Sequence, residues 1–476
     1  MGILNKVKCL FSNEARNEEV FNTDKAYKNL DKSVKKELLA MENKMIQVIH
    51  VNPNVYLAQR GARICIGQDT MKESYIKQAT YVSKVLNRGH ESVSEHTNVI
   101  GLFGIPNIEI IKYIDSYTEM LANMHFCNVT TKDGENLNYM LFSGSARAFI
   151  HCVRECNIDN YFVNEYLKPF IYQSFDKELM TPLIKNNMME EDKFQYLPDG
   201  EISEVEDKVV QVKNTKEKTD VENSALDCDN VFEPEEYDEE HVTLIYQSPI
   251  QKLYNKVKDY GFTLKDVYKV ATVTFIFHDI SRTCSHQLVR HRVGISQESQ
   301  RYVAHDYTKE NFINPIKMNY EDRYKDSKFN SVIKKMDEIN PFSNYAYLLS
   351  SGILKEDARA WLPSNVTTQL MMTFTYWQYA HFLYFRLEKG AQKEIRENCA
   401  DESSWFLFND SDTRQKFIDL CMENNTTSIE QELLDTISEE DVDEELTEEE
   451  IKSLEINNED DAKKLIEESE RLSKLK

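Results

Sequence analysis

VYKVATVTFIFHDI (267–280), running straight into SRTCSHQLV (281–289), is the stretch on which the fold turns. Val270, Val273, Phe275, Ile276 and Phe277, joined by the β-favouring Thr272 and Thr274, predict a buried strand. Ser281 then stands where its hydroxyl can take an orphan amide of a first helical turn, so 281–289 reads as a capped helix.

Working outward, IQVIHV (46–51) is a second short apolar strand, closed at Asn52-Pro53, and 31–45 before it has a helical pattern. The run 106–124 places Ile108, Ile111, Tyr113, Ile114, Tyr117 and Leu121 at mostly helical spacing after a proline start. Downstream, 366–389 reads as one long helix ended by Gly390, with a further helix over 391–398; being aromatic almost all round, it belongs at the centre. This alternation of strand and helix signals suits an α+β fold.

A chain of 476 residues, 41% hydrophobic and 11% aromatic, can bury a substantial core in two or three domains. Its formal charge of −24 is concentrated in roughly 189–240 and 429–470, so an anionic ligand needs a local basic pocket. Without a broad basic surface, binding of nucleic acid is not expected. The nine cysteines are scattered, with no C-x-x-C pair, which predicts reduced thiols and a cytoplasmic protein. The N-terminus lacks the long apolar stretch of a secretion signal, and no stretch reaches membrane-span length, so no membrane association is expected.

Five segments follow: an N-terminal extension (1–45), a first catalytic part (46–155), an insertion (156–250), a second catalytic part (251–405) and an acidic tail (406–476). Within the insertion, 187–241 reads as acidic and poorly ordered; the tail reads as marginal helix or disorder.

The chemistry concentrates at 287–301, where Gln287, Arg290, His291, Arg292, Ser296, Gln297, Ser299 and Arg301 combine guanidinium forks and hydroxyls with one imidazole. That inventory suits a phosphate and a planar, carbonyl-rich ring. Gln287 and Arg290, three apart, share a helix face, and the chain is expected to leave the helix through Gly294.

The whole string SRTCSHQLVRHRVGISQESQRY resembles the signature of flavin-dependent thymidylate synthases, in which R-H-R is followed after seven residues by Ser and then x-R-Y. Here six residues, Val293 to Glu298, separate Arg292 from Ser299. Gln297 takes the family's acidic or amide position, with Glu298 the competing assignment. GHESVSEHTNV (89–99), GILKEDARAWLPSNVTTQL (352–370) and HFLYFRLEKGAQKEIREN (381–398) resemble the family's other blocks in the same order. The resemblance covers roughly 46–150 and 265–400, with YMLFSGSARAF (139–149) fitting only longer members.

It implies an antiparallel sheet flanked by helices, sites assembled between subunits of a homotetramer, and reductive methylation of dUMP to dTMP. Methylenetetrahydrofolate would give the carbon, NADPH the hydride, and FAD would relay it. Gln287, Arg290, Gln297, Ser299, Arg301 and Arg359 would hold dUMP, and Arg386 would face the uracil ring as the catalytic residue. His90, Ser92, Glu95, Arg290, His291, Arg292, Gln297 and His381 would line the FAD site. Thr375 and Trp377 stand where the family has Asn-x-Arg facing the flavin. His90 and His96 find no third ligand at metal spacing, so no metal is expected. Two alternatives stay open: a flavin-dependent uracil methyltransferase acting on another substrate, and a non-catalytic nucleotide- or flavin-binding protein of this fold.

Overall fold

In the computed structural model the described residues are 46–68, 73–106, 128–132, 137–156, 167–187, 237–302, 311–313, 325–338, 340, 342–423 and 427–440. The chain divides into two compact units, Met1–Glu430 and Gln431–Lys476. Of the second, the described part is the end of the helix Thr427–Glu440. The helices expected over 31–45 and 106–124, and most of the acidic stretch 187–241, lie outside the described residues.

β1 (Ile46–Val51) is the strand expected there. It is followed by α1 (Asn54–Cys65), which is buried along nearly its whole length, α2 (Tyr75–Asn87), and a 3-10 segment, Glu91–His96. β2 (Val99–Pro106), β3 (Asn128–Lys132) and β4 (Leu137–Gly144) complete a four-stranded antiparallel sheet in the order β1-β2-β4-β3. Ser145 caps α3 (Ala146–Glu155) by accepting from the Ala148 amide, and α4 (Lys168–Ser174) and α5 (Lys177–Asn187) follow. Phe103, Phe142, Phe149 and Phe170 interlock at the centre of this half, with Phe103 and Phe142 stacked at 4.5 Å.

The second sheet is also antiparallel, in the order β5-β6-β7-β9-β8. β5 (Tyr237–Asp238) and β6 (Val242–Gln247) precede α6 (Ile250–Val257) and α7 (Leu264–Val270). β7 (Thr272–Ser281) leads into α8 (Arg282–Leu288), and β8 (Gly294–Gln297) follows. β9 (Thr367–Thr375) then feeds α9 (Tyr376–Arg386), and α10 (Ser411–Met422) packs against it. The α+β class and the antiparallel pairing are as expected, but there are two sheets rather than one.

The strand expected at 267–280 begins later, at Thr272, because Val270 closes α7. The larger correction falls on 366–389: its first part is a strand, and only 376–386 is helical. β9 lies between β7 and β8 and is buried on both faces, so its continuous apolar run carried no period to separate strand from helix. Thr375 makes the switch, with a capping box in which its hydroxyl accepts from Gln378 N while the Gln378 amide oxygen accepts from Thr375 N. The helix expected at 391–398 is displaced into a π-helical segment, Ile395–Asp401.

Candidate functional site

The arginine cluster sits at the end of α8, and three buried features fix it there. Ser281 caps the helix as expected, accepting from Cys284 N at 3.0 Å. The carboxylate of Glu394, 2% exposed, accepts from both Ser281 N (2.6 Å) and Ser281 Oγ (2.7 Å). Leu288 anchors the far end in the core.

Past Leu288 the chain tightens into a 3-10 turn, Val289–His291, and reverses at Arg292, whose φ of 52° is left-handed. The exit expected at Gly294 is thus made two residues earlier. Gly294 serves a different need: a Cβ there would lie 2.8 Å from the Glu95 carbonyl oxygen, so only glycine lets β8 lie against the 90–96 segment. Next to it, fully buried His96 contacts Ser296 Oγ through Nε2 and Thr373 Oγ1 through Nδ1, each at 2.9 Å. Burial lowers its pKa to about 3, so it is a neutral strut with both nitrogens occupied by hydroxyls.

Arg386 at the end of α9 donates from Nε to His291 Nε2 at 3.0 Å. Burial, then the charge of Arg386, then His381, lowers the His291 pKa to about 4, so at neutral pH the ring is an acceptor. Burial and neighbouring Arg290 pull the Arg386 pKa down as well, yet a guanidinium stays charged at neutral pH. The His291 ring lies edge-on to Phe382 (5.1 Å) and to His381 (6.3 Å). His381 packs at 4.7 Å on half-exposed Phe385, which meets half-exposed Tyr384. Arg290 and Arg292 are exposed and make no hydrogen bond or ion pair among the described residues. The result is a fixed, half-buried cation, two outward cations and a rim of rings, which suits an anion carrying a flat heterocycle.

The remaining expected residues are distributed around this centre. Gln287 hydrogen-bonds Gln392, and Gln297 donates to Ser285 Oγ at 2.7 Å, so both amides brace the helix in this state. Ser299 donates its amide to Cys65 O at 3.0 Å, and its hydroxyl accepts from Arg301 N. Arg301 pairs with Glu356 at 2.8 Å, while exposed Arg359 donates to the Glu356 carbonyl. Glu298 turns toward Gln369 and Arg282, and burial pushes its carboxyl up to about 6. His90 meets the Tyr302 ring edge-on at 6.3 Å, Ser92 is exposed beside it, and Glu95 is ion-paired with Arg147. Thr375 is consumed by its cap, and Trp377 lies under Lys265 and Lys269, 5.4 and 5.7 Å from its ring centre. Trp377 and His381 thus meet different neighbours.

Glu394, Gln392 and Arg147 were not singled out from the sequence, and His96 was weighed there only as a metal ligand, whereas the structure makes it a hydrogen-bonded strut. Glu394 and Gln392 lie in the quoted block AQKEIREN, but their partners are about a hundred residues away. Nothing local announces a carboxylate that holds a distant helix cap.

This site defines an α+β protein with a cationic, aromatic-rimmed cluster where the C-terminal ends of α8 and α9 meet. Residues 208–403 match the family model described as Thymidylate synthase complementing protein. The chain is similar to flavin-dependent thymidylate synthases of Pyrococcus furiosus (33% identity over 165 residues; 34% of this chain, 64% of that protein) and Pyrococcus abyssi (34% over 140 residues; 29% and 55%). A third, from Geobacter sulfurreducens, is 32% identical over 152 residues, 31% of this chain and 61% of that protein. The matches therefore span about half to two thirds of those relatives' lengths. What these matches share is similarity to flavin-dependent thymidylate synthases.

Proposed function

We propose that the chain catalyses the reductive methylation of dUMP to dTMP, with methylenetetrahydrofolate and NADPH as co-substrates and FAD as cofactor. The observation that carries this is Arg386. Its Nε is committed to neutral His291, which aims the rest of the guanidinium outward with no further hydrogen-bond partner among the described residues. A fork held in that way matches the imide edge of uracil and stabilises negative charge spreading over the ring during attack from its C5, so no protein nucleophile is needed.

The residues present fit a flavin nucleotide: two outward arginines without internal partners stand beside exposed rings. Arg290, His291, Arg292 and His381 would hold it, with His90, Ser92 and Gln297 at the margin. Glu95, Thr375 and Trp377 would have to give up present contacts to join them. The bound flavin supplies the hydride relay. For dUMP, Arg290 and Ser299 offer the phosphate a cation and a hydroxyl. Gln287, Gln297, Arg301 and Arg359 would exchange a protein partner for the nucleotide. The half-exposed faces of Tyr384 and Phe385 suit closure by other copies of the chain, as in a homotetramer.

Purified protein is expected to be yellow and to release tritium from 5-labelled dUMP only when reductant and folate are both supplied. Colourless protein with no release overturns the proposal. The engagement of Thr375 and Trp377 favours the second reading, a non-catalytic nucleotide binder, which would bind dUMP without release.

A further inference from the structure

The family model matches 208–403, so residues 46–156 lie outside it. Those residues repeat the architecture of 242–386. In each, a first strand ends two residues before a proline that precedes a helix, with Pro53 at φ −70°, ψ 75° and Pro249 at φ −73°, ψ 89°. A left-handed glycine follows, Gly89 at φ 83° and Gly261 at φ 84°, before the second strand. The strand orders β1-β2-β4-β3 and β6-β7-β9-β8 are the same. Even an irregularity recurs: the first strand slips register between Val48 and His50, and between Leu244 and Tyr246, in each case five and three residues before the proline. The amide after each first strand bonds at the start of the second, Asn52 N to Asn98 O and Ser248 N to Thr272 O. Last, Ser145 and Thr375 cap equivalent helices.

The two copies also meet as symmetry mates would. His50 and Tyr246 occupy the same register position, and they touch each other, hydrogen-bonded with rings stacked at 6.2 Å. A residue touching its own counterpart marks a two-fold axis. On either side the contact is reciprocal. The segment after Gly89 packs on β8, and α7, after Gly261, packs on β3. The chemistry is not reciprocal. The registers β2–β4 and β7–β9 align Cys156, 2% exposed, with Arg386. In sequence, the connection between β2 and β3 carries Lys112 and His125 as its basic residues, against Arg282, His286, Arg290, His291 and Arg292 between β7 and β8. Opposite it, where His90 and Glu95 stand in the first copy, the second has buried Phe262, Leu264 and Val267.

We infer that the chain is a fused pseudo-dimer of one duplicated module, with a single working ligand site where the arginine cluster meets the 90–96 segment, and a second, symmetry-equivalent site lost to apolar packing. The first module acts as a built-in partner that clasps the signature strand through the Glu95 carbonyl, His96 and the Cys65 carbonyl.

Two measurements on the full chain test this. The first rests on the nucleotide reading: equilibrium dialysis with dUMP is expected to give one nucleotide per chain, lost in Arg290→Ala. Two per chain, with one surviving that substitution, overturns the inference. The second needs no ligand. In hydrogen exchange, His96→Ala is expected to speed the amides of Gly294–Gln297 and Ser299 at least tenfold, and Val267→Ala those of Leu137–Gly144. Effects confined to the mutated module overturn the inference. Failure to bind dUMP with the reciprocal exchange pattern intact counts against the proposed activity alone.

Discussion

Arg386 and His291 show how one imidazole sets the work of a neighbouring cation. Were His291 protonated it would repel Arg386; burial and that same arginine keep it neutral, and the contact becomes a hydrogen bond that aims the guanidinium. Arg386→Ala is expected to lower dUMP turnover on the order of 10³-fold while bound flavin absorbance persists. Arg386→Lys should not restore turnover, since an ammonium lacks the planar fork; near-normal rates in either variant refute the assignment. Arg292 poses a second question, because a bulky side chain at φ 52° is strained. Arg292→Gly and Arg292→Ala both remove the guanidinium, but only glycine relieves the backbone. The glycine variant should be about 1 kcal/mol the more stable in denaturant melts, with flavin affinity reduced equally in both. Equal stabilities would show that the reversal carries no strain.

Among the elements, α8 depends on contacts remote in sequence. Its cap, Ser281, is itself held by Glu394, so removing that carboxylate strands a buried amide and a buried hydroxyl together. Glu394→Ala should cost about 2–3 kcal/mol and lower activity by fraying the helix start, with Glu394→Gln intermediate. A Tm unchanged in the alanine variant would show the cap to be self-sufficient. β9 and α9 teach a related lesson. The residues 366–389 look helical throughout because a strand covered on both faces is as uniformly apolar as a buried helix. In the structure the Thr375–Gln378 capping box marks where the strand gives way. By contrast the body of β7 and the capped α8 were legible, though not where β7 begins, since β-branched residues and an N-cap serine act within a few residues of themselves.

For the whole molecule, part-buried His50 and buried His96 tie stability to pH, and His291, already lowered to about 4, acts in the same sense. Burial lowers His50 to about 4, with Lys256 and Lys252 adding to the shift, and lowers His96 to about 3, against 6.5 for an unfolded histidine. Below 6.5 the unfolded chain takes up protons that the folded chain refuses. The stability these rings hold at neutral pH is therefore lost as pH falls toward 4, by about 2 kcal/mol each at pH 5. Glu298 runs the other way: burial raises its carboxyl to about 6, so its contribution is complete below 4.5 and lost as pH rises through 6. The three rings outweigh one carboxyl, so Tm should fall between pH 7 and pH 5, less steeply in His96→Gln; a flat profile would show that these rings are not held neutral. His96 also joins the two halves of the unit, so acid should loosen β8 first.

By itself the sequence offered candidates for chemistry and one strand that turns into a capped helix: the arginine cluster, Ser281 and the 46–51 strand are read from local pattern or side-chain type, and Arg386 from the family resemblance. Tertiary structure alone decided that 367–375 is a strand, that the chain reverses at Arg292 rather than Gly294, and that Glu394 and His96 hold the site. It also decided that residues 46–156 mirror 242–386. These depend on neighbours far along the chain, where register, close approach and burial select among conformations that local propensity leaves nearly equal.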